Sequence, residues 1–318
     1  MLRALEVDEI YFSIPYFKLP SIFLMLISLA RDVFNMPIYY LFMWVWVRIF
    51  GFGNFAMIFP SIATTICGAV FMVLIAQKIS GGGALKYIFL ILIFSSLFLW
   101  VYIIITIRPY GFVFLFSSAT FYFWTTKRRK MFILFLTLSI LTHWCFAFLA
   151  LFYALLDIRK REILHYSIPF LLLLIWTTFC ATQGNSGTRV YGFDNESPTT
   201  AENFFAPISE MFGFNIKGRP PWKYGFLYGT ISLFLFVVGC VFSRGYVRLS
   251  AFACLFFWVV VLLSSFIMPA SLYRARYFAV ILPQVIIVMG FGLYKILIFG
   301  YNKINGARIK CRRTTVQH

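Results

Sequence analysis

Acidic residues are scarce in this chain: ten Asp and Glu stand against 28 Lys and Arg, and charged residues of both signs make up only 12% of 318 positions. A soluble globular domain carries about 25% charged residues, so a cytosolic globular protein is excluded, as is a disordered one, which is poor in apolar residues. No acid falls deep within a long apolar run. That argues against a proton-driven carrier, which keeps ionisable relay groups inside the membrane. Cysteine offers no framework either. The six are scattered, most of them in apolar runs, and no two show CxxC or metal-ligand spacing, so neither a disulfide scaffold nor a zinc site is expected. No internal repeat or low-complexity linker divides the chain.

What fills the sequence is apolar: 62% hydrophobic residues, 41 of them Phe. The net charge of +18 would suggest nucleic acid in a soluble protein. Here the basic residues sit in short clusters between apolar runs, the pattern that sets membrane topology, and no nucleic-acid partner is expected. The expected fold class is all-α, a polytopic transmembrane helical bundle of about nine crossings with helices at the extracytoplasmic interface.

A crossing takes about 20 apolar residues. Runs of that kind lie near 55–77, 87–107, 110–126, 163–181, 223–243, 249–268 and 277–299. The basic sites are Lys78 with Lys86, Lys127 to Lys130, Arg159 to Arg161, Arg244 with Arg248, and a tail at 300–318. All are read as cytoplasmic. Residues 131–156 join two such sites, so the chain crosses an even number of times there, yet 26 residues are too few for two full spans. The expectation is a hairpin of two short helices with its tip near Thr142-His143-Trp144, sheltered by other helices because bare backbone cannot face lipid.

Counting back from Lys78 places residues 1–54 outside the membrane, with helices lying at the interface at 21–34 and 36–50. Nothing precedes Asp8 that would carry this segment across, so a signal-anchor helix upstream is expected. In the rival reading, 36–50 or 16–31 is itself a span and part of the map inverts. The organisation is then 1–54 as an outer segment, 55–299 as the transmembrane core with a long outer loop at 182–222, and 300–318 as a cytoplasmic tail.

Candidate chemistry gathers on the outer side. Asp8 and Glu9 are adjacent carboxylates, able to take a proton from a sugar acceptor; the plain alternative is two solvated acids. Arg108, in Arg108-Pro109-Tyr110, either snorkels to the interface or faces a lipid phosphate. Arg274 and Arg276 break the positive-inside trend, and gripping a phosphate would explain them, as would pairing with nearby acids. His143 at the hairpin tip is either a structural polar group or a ligand contact. Tyr39 and Tyr40, with Trp44 and Trp46, belong to the interfacial aromatic belt or line a sugar or prenyl groove.

The order of these segments resembles that of the GT-C membrane glycosyltransferases related to dolichyl-phosphate-mannose protein mannosyltransferases and lipid A aminoarabinose transferases. Asp8-Glu9 resembles the family's acidic motif in its first outer loop. Pro37-Ile38-Tyr39-Tyr40-Leu41 to Arg48-Ile49-Phe50-Gly51, then Pro60-Ser61, resembles its PPLYYLLLHLWLRLFG…RLPS segment. Arg108-Pro109-Tyr110 resembles ARPYA, Leu141-Thr142-His143 resembles LTHY, and Arg276-Tyr277 with Pro283 resembles RY…LP. The chain departs from the pattern at Met36, where the family has a second proline, and at Ile58, where it has arginine before LPS. Some members hold a metal with a second acid near the third-span tip. This chain has Arg108 there, which argues against dependence on a divalent metal, and no other cofactor is implied.

The resemblance implies an inverting transfer from a polyprenyl-phosphate-linked sugar to a glycan, lipid or protein acceptor, on the extracytoplasmic face of a membrane such as a bacterial inner membrane. Asp8 would be the general base and Glu9 would support it or position the acceptor. Arg108, Arg274 and Arg276 would hold the leaving phosphate. Tyr110, His143, Tyr39 and Tyr40 would contact substrate. Two other readings stay open: a polysaccharide polymerase, which the long 182–222 loop would suit, and a non-enzymatic flippase for lipid-linked sugars. A degenerate, inactive relative is a third if no helix precedes Asp8.

Overall fold

A computed structural model describes residues 13–31, 35–80, 83–96, 107–157, 162–183, 211–212, 225–267 and 275–315. Among these residues the chain is helical throughout, with no strand. The helices are α1 (Ile14–Lys18), α2 (Ile22–Ala30), α3 (Pro37–Phe50), α4 (Asn54–Ser80), α5 (Ala84–Ser95), α6 (Tyr110–Thr125), α7 (Arg129–Ile140), α8 (Phe146–Asp157), α9 (Ser167–Thr182), α10 (Gly225–Val241), α11 (Gly245–Ile267) and α12 (Leu282–Thr315). Short 3₁₀ segments at Glu162–Tyr166 and Ala275–Ile281 lead into α9 and α12.

Four segments are long and apolar enough to cross a bilayer: Asn54–Ile79, Leu164–Thr182, Gly245–Ser264 and Tyr277–Tyr301. Shorter apolar helices lie at Pro37–Phe50, Ala84–Ser95, Phe146–Asp157 and Phe226–Val241. Their outer faces carry large exposed apolar side chains, among them Phe55, Val70, Ile91, Phe94, Leu174, Phe234 and Leu263. Apolar surface this extensive is a liability in water and natural against lipid. The chain is a helical membrane protein.

Helix α6 is the central strut. Thirteen of its 16 residues are buried, so it is surrounded rather than amphipathic. Small residues let α4 lie close against it. A Cβ on Gly111 would meet Ser61 O at 2.8 Å, and one on Gly68 would meet the Phe114 ring at 2.6 Å. Lys127 then takes a positive φ of 57°. The Arg128 N–H donates to Phe123 O at 3.1 Å and the Lys127 N–H to Trp124 O at 3.2 Å. This paired closure satisfies orphan carbonyls at the helix end and turns the chain into α7.

The hairpin expected at 131–156 is present as α7 and α8, 12 residues each. Each is about 18 Å long at 1.5 Å per residue, well short of a hydrocarbon core of about 30 Å. At the base of the pair the Arg129 guanidinium donates to the Asp157 carboxylate at 2.9 Å, and the Tyr166 hydroxyl donates to the same oxygen at 2.8 Å. Asp157 is only 1% exposed. The acid beside the basic cluster is therefore a buried clasp joining α7, α8 and the start of α9.

Helices α2 and α3 form where the interfacial helices are expected. Arg48 lies over the Trp44 ring at 3.4 Å and donates to the Phe17, Leu19 and Trp44 carbonyls. It thereby takes up carbonyls at the end of α1 that have no intrahelical partner. Pro60 inside α4 has no N–H, which strips Ala56 O of its helical donor. The Trp46 indole N–H fills that position at 2.8 Å, tying α3 to α4 at the proline.

Candidate functional site

One end of the bundle carries Lys78, Arg129 and their partners. Lys78 stands over the Tyr246 ring, the Tyr246 hydroxyl donates to Thr125 O, and the Arg129–Asp157 clasp closes the same end. Helix α6 runs from there about 24 Å, at 1.5 Å for each of its 16 residues, to Tyr110 at the opposite end. The candidate site is at that end.

It is built around the hairpin tip. Residues 141–145 link α7 to α8, and His143 sits between them, 7% exposed. Its Nδ1 accepts from the Cys145 N–H at 3.4 Å, a side-chain cap on the approach to α8. The Tyr110 ring packs on His143 with centroids 5.8 Å apart, and the Tyr277 ring packs on it at 5.4 Å. Trp144 completes the group, 6.0 Å from Tyr277. Residues from the starts of α6, α8 and α12 thus meet around one imidazole.

The segment Pro37-Ile38-Tyr39-Tyr40 joins the same end. Ile38 lies in the first turn of α3, where its N–H has no intrahelical partner. It donates to Leu141 O at 3.0 Å, a carbonyl left open at the end of α7. Tyr39 packs against Phe112 at 5.6 Å and Phe17 at 6.1 Å. The Tyr40 hydroxyl donates to Asn35 Oδ1 at 2.8 Å, and the Trp176 indole on α9 reaches Asn35 O at 3.3 Å. Both tyrosine rings are buried: they brace the site and do not line an open groove. Pro60-Ser61 reaches the cluster through Gly111, the neighbour of Tyr110.

Segments far apart in the chain, at 37–40, 60–61, 108–111, 141–144 and 277, therefore converge. Arg108, half-buried, stands two residues before Tyr110 at this end. Asp8, Glu9 and Arg274 lie outside the described residues, as does the Arg276 side chain, whose backbone precedes Tyr277. Sequence reasoning left Trp144 and Tyr277 off the candidate roster, although both stand inside quoted motifs; the charge on Arg276 and the imidazole of His143 drew attention from the rings beside them. In the described part of the site Tyr110, His143 and Tyr277 are buried, with Trp144 half-buried beside them.

Two surface grooves lie elsewhere. One of about 500 Å³ runs between α10 and α11, and one of about 430 Å³ lies between α8 and α11. Tyr110, His143 and Tyr277 line neither. No protein-family model matches the chain, and neither curated proteins nor solved structures give a significant match.

Proposed function

We propose that this chain is a membrane glycosyltransferase acting on the extracytoplasmic face, using a polyprenyl-phosphate-linked sugar as donor. The single observation behind the reading is the Tyr110–His143–Tyr277 cluster, at 5.8 and 5.4 Å between rings, tied to the tyrosine pair by the Ile38–Leu141 hydrogen bond. Four of the five segments that resemble GT-C motifs in order along the chain meet in space, at the end away from the basic cluster; the fifth, Asp8-Glu9, lies outside the described residues. With the basic end read as cytoplasmic, from the charge pattern of the sequence, that cluster lies on the outer side.

In this mechanism the acceptor hydroxyl attacks the anomeric carbon from the face opposite the phosphate. The new glycosidic bond forms as the bond from that carbon to the phosphate oxygen breaks. Asp8 takes the acceptor proton and Glu9 supports Asp8 or positions the acceptor. Arg108, Arg274 and Arg276 stabilise the charge growing on the departing polyprenyl phosphate. Tyr110 and His143 contact the sugar phosphate, and buried Tyr39 and Tyr40 hold the hairpin tip in place.

The test is transfer of radiolabel from polyprenyl-phosphate sugars in membranes carrying the full chain or its Asp8→Asn form at equal expression. The expected outcome is loss of transfer by a factor of 10² or more, the low end of what a positioned base contributes. Undiminished transfer by Asp8→Asn would remove Asp8 from the mechanism.

A further inference from the structure

Helices α10 and α11 are both packed on α12 and touch each other little beyond their connecting turn. The cause lies in the glycines. A Cβ on Gly239 would run into the Val288 carbonyl, and one on Gly292 into the Leu235 carbonyl. Backbone therefore meets backbone where α10 crosses α12, as small residues permit in membranes. This draws α10 onto α12 and leaves the groove of about 500 Å³ between α10 and α11.

We propose that this groove holds one acyl chain of an anionic phospholipid, drawn from the leaflet at the basic end of the bundle, with the headgroup phosphate on Arg248. The volume falls in the range of roughly 300–1,000 Å³ typical of ligand cavities. The walls are apolar and aromatic, with Phe236 and Cys240 on α10 and Cys254 and Trp258 on α11. A void so lined has no partner atoms on its open side, and in a bilayer the molecule at hand to fill it is a lipid.

Length and charge select which lipid. From Arg248 to Trp258 the groove follows ten residues of α11, about 15 Å at 1.5 Å per residue. That is half of a hydrocarbon core of about 30 Å, one leaflet deep. Among the described residues Arg248 is the only charged one in the lining, is exposed, and has no hydrogen-bond or ion-pair partner. Arg244, also exposed, lies one turn earlier. A guanidinium at the headgroup end of a one-leaflet groove is complementary to a phosphate, which it grips with two parallel N–H donors. A polyprenyl-phosphate donor fits poorly, because the proposed function puts its phosphate at the other end of the bundle. In setting that donor aside, the inference rests on the proposed function.

The experiment is native mass spectrometry of the full chain released from bilayers of equal parts phosphatidylglycerol and phosphatidylcholine, spiked with a polyprenyl phosphate. The expected result is one retained phosphatidylglycerol per chain. Ala251→Trp fills the groove from α11 and should lower retention at least tenfold. Arg248→Gln changes an exposed residue and should cut the preference for phosphatidylglycerol over phosphatidylcholine about fivefold, the ~1 kcal/mol of one basic residue at an anionic surface. If Ala251→Trp fails to fold, Arg248→Gln decides alone. Unchanged retention in a folded Ala251→Trp protein, an unchanged headgroup preference in Arg248→Gln, or retention of the polyprenyl phosphate in place of phospholipid would each overturn the proposal. A sugar-transfer assay that fails leaves this result untouched.

Discussion

The two ends of the bundle are held by different forces. At the basic end, Arg129, Asp157 and Tyr166 close the hairpin with a charge pair and a hydroxyl on one oxygen. At the opposite end, the tip is held by rings around His143 and by a backbone bond from Ile38 to Leu141. The first arrangement is strong but costly to break, because a charge taken out of water must stay paired. The second is a sum of small terms, each ring pair worth about 0.5–1.5 kcal/mol beyond its area. An end that has to admit a substrate is better built from contacts that yield one at a time. If the proposed function holds, the basic end serves stability and the aromatic end serves function, and the two should separate under mutation.

The largest expected effect is at the basic end. Asp157→Ala leaves Arg129 without its carboxylate in a site that is 24% exposed on the arginine side and 1% on the aspartate side. Breaking a buried pair from one side costs about 3–5 kcal/mol, and the partial exposure of Arg129 argues for the lower figure. Thermal unfolding in detergent should show the loss, and the double change Arg129→Met with Asp157→Leu should recover much of it, since an apolar pair leaves no stranded charge. Transfer per folded molecule should stay near that of the unaltered chain. A collapse of transfer in folded Asp157→Ala protein would end the division of labour between the ends.

A smaller stability change and a larger functional one are expected at the aromatic end. His143→Ala removes three ring contacts and the cap on the Cys145 N–H, for about 2 kcal/mol in all at the low end of about 0.5 kcal/mol per ring pair. Sugar transfer should fall at least tenfold. His143→Gln keeps a polar side chain but loses the ring, and should recover stability more than activity. Equal loss of activity and folded protein in both variants would make His143 structural only.

How far all this was legible in the sequence depends on the range of the signal. The hairpin was legible because charge parity and the shortness of residues 131–156 leave no other solution. Helices α2 and α3 were legible as apolar runs too short to span. The burial of Asp157 was not, since an acid beside Arg159 to Arg161 reads as solvated; only the fold shows Arg129 and Tyr166 closing over it. The meeting of Tyr110, His143 and Tyr277 was hidden for another reason. Local periodicity places residues on a helix face, but it says nothing about which helix ends share a corner of the bundle. The resemblance supplied an order of motifs, not their distances. The crossing of α10 and α12 was equally hidden, because Gly239 and Gly292 sit in uniformly apolar runs that mark no face.

The smallest effect sharpens the comparison most, because it tests the aromatic end without touching the site. Pro60 breaks the hydrogen-bond ladder of α4 and leaves Ala56 O to the Trp46 indole, 2.8 Å away. Trp46→Phe keeps an aromatic ring against Phe42 and Phe59, which stack on Trp46 at 5.7 and 5.9 Å, and removes only the N–H. The expected cost is about 1 kcal/mol, the net worth of one such bond, raised toward about 2 kcal/mol if no water reaches the stranded carbonyl. Pro60→Ala in the same background restores the N–H that Ala56 O lacks and should return the lost stability. If Pro60→Ala stabilises the unaltered chain by as much as it stabilises Trp46→Phe, the indole bond is not what compensates the proline, and α3 is anchored to α4 by ring packing alone.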